Sequence, residues 1–359
     1  MTSAIATLSN IYHRRIPPVG LPVIGLTSNT VPWELIRAAG FQPFLLSPLK
    51  NATPLADRYM EDVFTARLKA VFDFLLSRDA EALKAVVIPR TSEQEHKLYL
   101  YLREVARQGL EHSPRPILYN LLHSRSAEAR AYGLERTRDL RIQLEQLSGR
   151  AIGEEALRTA IEEGNAARRA IRVLLQLRAG PRPKLSGSEA LALIGACYFM
   201  DRSEYAKLAW EAAEEIDARD SLQGPRILIH GTPQDNLDFC TAVEAQGAVV
   251  VAEDDWWCSR AAGRDIEINN DPLQAIFEKY YLDAISPRVF PAASDDDWFL
   301  HAASTVDGVI FYLPPDDDVL GWDYPRLRAH LDEHSIPHRQ FRGAATEELG
   351  EFVEGLVHA

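Results

Sequence analysis

The sequence predicts an α/β protein of two Rossmann-like or flavodoxin-like parallel-sheet domains joined by a helical connector. Three observations carry that expectation. Short apolar runs alternate with helical stretches in the first and last thirds, the arrangement of a parallel sheet covered on both faces. The middle third has helical periodicity and almost no strand signal. A chain of 359 residues is too long for one small core and suits two domains. The expected boundaries are 1–125 for the first α/β domain, 126–220 for the connector and 221–359 for the second α/β domain.

In chain order, residues 21–26 form a short apolar run suited to a buried strand, closed by Thr27, Ser28, Asn29 and Thr30. Pro32 falls where a helix starts and its missing N–H is harmless, and Gly40 stops that helix. Strands follow at 41–46, 85–89 and 116–120, with helices at about 55–77 and 93–108. The connector should hold helices at 130–147 and 154–178, a break at Gly180-Pro-Arg-Pro183, and helices at 188–199 and 203–218. The last third repeats the opening logic, with strands at 226–230, 248–252, 308–312 and 338–341. Helices at 237–246, 272–283, 324–334 and 346–357 separate or follow them. Two α/β units of similar layout imply an internal pseudo-repeat.

Composition narrows the function. The chain has 39 Lys plus Arg against 52 Asp plus Glu, a formal charge of −13, which argues against nucleic acid or an anionic membrane as main partner. An apolar fraction of 46% with 25% charged residues is that of a globular protein. Residues 1–18 lack the apolar stretch of a signal peptide, and no apolar run is long enough to span a bilayer, so a cytoplasmic location is expected. The three cysteines, Cys197, Cys240 and Cys258, are too scattered for a disulfide framework.

Ligands of an open parallel sheet gather at the carboxyl ends of its strands. That rule nominates the loops at 27–30, 90–93, 231–235, 253–260 and 313–318. They supply Thr27, Ser28, Asn29, Thr91, Ser92, Glu93 and Thr232 as cleft residues, although each loop also has the composition of an ordinary helix cap. No phosphate-binding loop and no G-x-S-x-G elbow is present. His230 reads as a satisfied core histidine, and the aspartate triplets at 295–297 and 316–318 as solvated loop charge without calcium-loop spacing. The run Asp254-Asp-Trp-Trp-Cys-Ser-Arg260 is unusual. Arg260 and Arg264 would fork a carboxylate or phosphate; Trp256 and Trp257 either cover a planar ligand or partner, or seal the domain against the helical segment.

Several stretches jointly resemble the 2-hydroxyacyl-CoA dehydratase and benzoyl-CoA reductase family, in particular a dehydratase D-component-like subunit. They are Val31-Pro-Trp-Glu-Leu-Ile-Arg-Ala-Ala-Gly40, Ile88-Pro-Arg-Thr-Ser-Glu93 with Lys97-Leu-Tyr99, Gly231-Thr-Pro233, and Gly247-Ala-Val-Val-Val251 with Asp254-Asp255. Asn270-Asp-Pro-Leu273, Gly308-Val-Ile310 and Ser335-Ile-Pro337 continue the series. The resemblance implies paired homologous subunits, 4Fe-4S clusters, acyl-CoA substrates and an ATP-driven activator that supplies one electron. It also implies cluster cysteines in three places: the helix after the second strand, the loop after the third, and the loop after strand 308–312. This chain has Phe64 and Thr65, then Thr91, Ser92 and Glu93, then Pro314-Pro-Asp-Asp317 at those places.

The expectation is therefore a subunit that binds no metal and no cofactor itself. It would shape an acyl-CoA site beside a cysteine-bearing homologue that holds the 4Fe-4S cluster. Glu34 is the first candidate for proton handling, because a carboxylate beside an apolar pocket can have a raised pKa, and Asp255 is the second. Glu34 equally suits a surface carboxylate in a helix's first turn. Two other readings stand beside this one: a cluster-free lyase or transferase on the same scaffold, and a non-catalytic binding or assembly subunit.

Overall fold

The computed structural model describes residues 3–49, 52–268, 271–286, 288–290, 293–315, 317, 320–344 and 346–357. Asn270, Asp316 and Asp318, and the side chain of Asp295, lie outside the described residues. Helix α1 (Ala4–Arg14) leads into β1 (Val23–Leu26), α2 (Trp33–Ala38), β2 (Gln42–Leu45), α3 (Pro54–Tyr59), α4 (Ala66–Leu76), β3 (Leu83–Pro89), α5 (Glu93–Gln108) and β4 (Arg115–Tyr119). The middle of the chain is α6 (Ala127–Ser148), α7 (Glu154–Arg178), α8 (Gly187–Gly195) and α9 (Arg202–Asp217). The last part runs β5 (Arg226–Gly231), α10 (Asp238–Glu244), β6 (Val249–Glu253), α11 (Pro272–Leu282), α12 (Ala293–Ala303), β7 (Gly308–Tyr312), α13 (Tyr324–Glu333), β8 (His338–Phe341) and α14 (Thr346–Val357).

The strands form two four-stranded, all-parallel sheets in the orders β2-β1-β3-β4 and β6-β5-β7-β8. The two orders are the same once the second is counted from its own first strand, so the pseudo-repeat is topological, and both follow the flavodoxin-like pattern. The central strands are mostly buried apolar runs, with Lys84 of β3 exposed and Arg226 and His230 of β5 half-buried, because helices cover both faces. Gly231 ends β5 at φ 135°, and a Cβ there would come within 2.0 Å of the Tyr312 carbonyl, so the neighbouring strands close together only around glycine.

Three elements differ from the sequence expectation. The helix foreseen at 55–77 is two helices. Met60 and Thr65 adopt extended backbone between them, and the Asp73 carboxylate folds back to accept the Leu55 N–H at 2.7 Å, capping α3 from within α4. Helix α1 was not foreseen; its Ala4, Leu8 and Tyr12 face is buried against α8 and α9. The first aspartate triplet lies in α12 rather than in a loop, where Asp296 pairs with Arg326.

One apolar core extends from the first sheet through the helical segment to α11 and the residues after β6. Helix α11 belongs to the last third of the chain but packs on α2, α6 and α7. The second sheet has two separate apolar layers, one with α10 and α14, the other with α12 and α13. Among the described residues no helix is long and apolar enough to cross a membrane.

Candidate functional site

The carboxyl end of β1 meets the helical segment and the loop after β6 at one point. Asn29 Nδ2 donates to the Trp256 carbonyl at 3.3 Å, and the Tyr198 hydroxyl donates to the same oxygen at 2.6 Å. Beside this junction is a cavity of about 30 Å³ lined by Asn29, Arg168, Tyr198, Arg202, Arg260 and Lys279 among others. A water needs roughly 10–15 Å³ by this measure, so the space holds about two waters or one small polar group.

The floor is a buried ionic cluster. Glu34, wholly buried in the first turn of α2, accepts from Arg168 Nη1 at 2.7 Å and from the Tyr280 hydroxyl at 2.7 Å, with Arg202 Nη1 at 3.6 Å. Burial pushes its pKa up, but the two guanidiniums and the tyrosine hydrogen bond outweigh it and hold Glu34 at about 2. Neither an apolar pocket that raises its pKa nor a surface position describes it. Gly164 of α7 makes the approach possible, since a Cβ there would lie 2.4 Å from Glu34 Oε1. At the cavity wall Lys279 Nζ sits 3.3 Å from Asp283; burial lowers the lysine to about 8 despite that carboxylate. The Tyr198 hydroxyl is pushed well above its ordinary pKa by burial and stays a neutral donor.

The loop after β6 is tied down in three ways. Arg178, fully buried, donates from Nε to the Val250 carbonyl at 2.9 Å, from Nη1 to Glu253 at 2.6 Å and to Cys258 Sγ at 3.1 Å. Asp254 accepts from His230 Nδ1 and from Arg260, each at 2.8 Å. Asp255 accepts three backbone N–H groups, from Gln234 at 3.0 Å, Trp257 at 2.9 Å and Cys258 at 3.3 Å. Burial and the neighbouring Glu253 nevertheless raise Asp255 to about 7, because among the described residues no cation faces it as Arg168 faces Glu34.

The sequence candidates fall into separate groups. Asn29 and Arg260 line the cavity. The Thr27 carbonyl receives Arg67 Nη2 at 2.5 Å, and the Ser28 and Thr30 hydroxyls pair at 3.2 Å. Thr91, Ser92 and Glu93 serve the start of α5: Ser92 and Glu95 form a reciprocal capping box, the Thr91 hydroxyl bonds Glu95, and Glu93 pairs with Arg90 and Arg288. Thr232 bonds Asp317 at the mouth of the second sheet. Arg260 and Arg264 do not form a common fork, since Arg264 turns to Asp283 at 2.6 Å and Arg260 to Asp254. Trp256 and Trp257 stack on each other at 4.8 Å and meet Tyr198 edge-on at 6.0 and 5.3 Å, packing the loop against the helical segment.

Sequence reasoning missed Arg168, Arg202, Lys279 and Tyr280. One signal for Arg168 was available. Leu157, Ile161, Gly164, Arg168, Ile171, Leu174 and Arg178 share the buried stripe of α7, so two arginines stand where an amphipathic helix places apolar residues. A buried arginine demands a carboxylate partner.

Residues 29–352 match the sequence model of the 2-hydroxyglutaryl-CoA dehydratase D-component. The chain is 22% identical over 336 residues to the (R)-phenyllactyl-CoA dehydratase beta subunit of Clostridium sporogenes, covering 90% of this chain and 87% of that one. It is also 22% identical over 359 residues to the beta subunit of (R)-2-hydroxyglutaryl-CoA dehydratase of Acidaminococcus fermentans, covering 94% and 93%. A benzoyl-CoA reductase subunit of Thauera aromatica is 24% identical over 236 residues, 61% of each chain. The resemblance seen in the motifs thus extends over most of the chain, from just after β1 into α14, and the chain belongs to the 2-hydroxyglutaryl-CoA dehydratase D-component family.

Proposed function

We propose that this chain is the cluster-free subunit of a 2-hydroxyacyl-CoA dehydratase- or benzoyl-CoA reductase-like heterodimer. It lends a polar wall to the acyl-CoA site of a homologous, cysteine-bearing subunit, which holds the 4Fe-4S cluster and takes its electron from an ATP-dependent activator.

The carrying observation is the donor set at the three places where the resemblance puts cluster cysteines. A 4Fe-4S cluster needs converging thiolates. The first place carries Arg67, whose guanidinium reaches the Thr27 carbonyl, lies 3.8 Å from Asp235 and stands over the Trp256 ring at 5.6 Å. At the second, the Thr91 and Ser92 backbone N–H groups and the Thr91 hydroxyl are taken by Glu95. The third has Pro314, Pro315 and Asp317 among the described residues. These residues do not fit the cluster. The chain's own thiols, Cys197, Cys240 and Cys258, are buried and lie at none of these three places.

The cavity supports the accessory role. It is too small for a CoA thioester, so the rest of such a site belongs to the partner. Arg202 and Lys279 are cationic donors suited to a carbonyl, hydroxyl or carboxylate oxygen. Glu34, held ionised, fixes Arg168 and Tyr280 in place instead of exchanging a proton. Relatives named as beta subunits are consistent with a paired assembly. Co-expression with a cysteine-bearing homologue encoded beside it should give a one-to-one complex on size exclusion. A chain that assembles only with itself and ignores that homologue contradicts the proposal.

A further inference from the structure

Away from the cavity, on the outer side of the second sheet, α13 presents a different chemistry. The helix packs on the sheet through Leu327 and Leu331; its last turn carries His330 and Glu333, and His334 caps its carboxyl end. The spacing i, i+3, i+4 puts all three on one helix face. Their ligating atoms lie within 4.8 Å of one another. We propose that His330, Glu333 and His334 form a binding site for a late first-row divalent cation such as Zn²⁺.

Four features support this site. The His330 and His334 rings stand 4.1 Å apart at 30°, already side by side. His334 Nδ1 is 2.9 Å from the His330 carbonyl, so an Nδ1–H donated there fixes the tautomer and leaves Nε2 as the lone-pair donor. The site occupies the carboxyl end of α13, where unpaired carbonyls favour cations, and the Asp332 and Glu333 carboxylates add negative charge. Two imidazoles with one carboxylate select zinc, nickel, cobalt or copper over magnesium and calcium, which prefer oxygen donors.

Coordination at about 2.0–2.1 Å requires the ligating atoms to draw closer than they stand, which exposed side chains can do by small rotamer changes. Solvent water fills the remaining positions. Glu333 and His334 are exposed and His330 is only half-buried, so the inference is of cation binding and not of a second catalytic centre.

The untagged full chain titrated calorimetrically with Zn²⁺ should bind one equivalent, and Co²⁺ should give a visible absorption band displaced by Zn²⁺. His330→Ala and His334→Ala should each weaken binding by roughly tenfold or more, and Glu333→Gln less. Zn²⁺ should raise the melting temperature of the native chain but not of the double histidine variant. Because all three side chains are at least partly exposed, the variants should fold with unchanged circular dichroism. Absence of binding by the native chain, or equal affinity in the double histidine variant, overturns the proposal.

Discussion

Glu34 and Asp255 are both buried carboxylates near the end of a strand, one in each α/β unit, yet their surroundings drive them in opposite directions. Glu34 meets Arg168, Arg202 and Tyr280 and is held at about 2. Asp255 meets three backbone N–H groups and the neighbouring Glu253 and is raised to about 7. Burial is common to both, so the counter-charge decides. The first carboxylate anchors the cavity's cations; the second shapes the turn that carries Trp256 and Trp257.

The largest expected effect is at the first. Glu34→Gln leaves two guanidiniums buried without their anion and should cost about 3–5 kcal/mol in denaturant unfolding. A loss below about 1 kcal/mol would mean that Arg168 and Arg202 are solvated and that the contrast with Asp255 is wrong. Gly164→Ala comes next, because its Cβ presses on Glu34 Oε1; a loss of about 1–3 kcal/mol is expected, with its pH dependence altered in the acid range.

The pH profiles should separate the two carboxylates by sign. Glu34's folded pKa lies below its unfolded value, so its contribution is present above about 4.5 and fades as pH falls toward 2. Asp255's folded pKa lies above its unfolded value, so folding is favoured at low pH and loses that advantage as pH rises from about 4 through 7. Unfolding free energies of Asp255→Asn should therefore lack a downward slope that the native chain shows between those values. Parallel curves would remove the claim that burial and Glu253 raise the Asp255 pKa in the fold. The smallest effect belongs to the rim: Arg264→Ala breaks a half-exposed pair with Asp283 that Lys279 still faces, and should cost about 1 kcal/mol or less.

Much of the fold was legible because buried parallel strands are short apolar runs, as at β3 and β7, and because good helix formers fill α5 and α7. Two of the elements read wrongly were set by polar partners, Asp73 splitting α3 from α4 and Arg326 pairing with Asp296 in an acidic segment that reads as a loop; α1 was missed because its short apolar face finds its partners only in the distant α8 and α9. The site was legible only in part. Asn29 and Arg260 follow from the rule that ligands gather at strand ends. The Glu34 cluster does not, because Arg168, Arg202 and Tyr280 lie far along the chain and only folding joins them. Thr91, Ser92 and Glu93 have the composition of a cleft and the geometry of a cap, which sequence alone does not distinguish.

The most direct test of the cluster-free reading is iron and acid-labile sulfide analysis of the chain purified alone under anaerobic conditions, with its visible absorption spectrum. The account predicts neither iron nor sulfide in stoichiometric amount and no charge-transfer band. About four irons per chain with matching sulfide would contradict it.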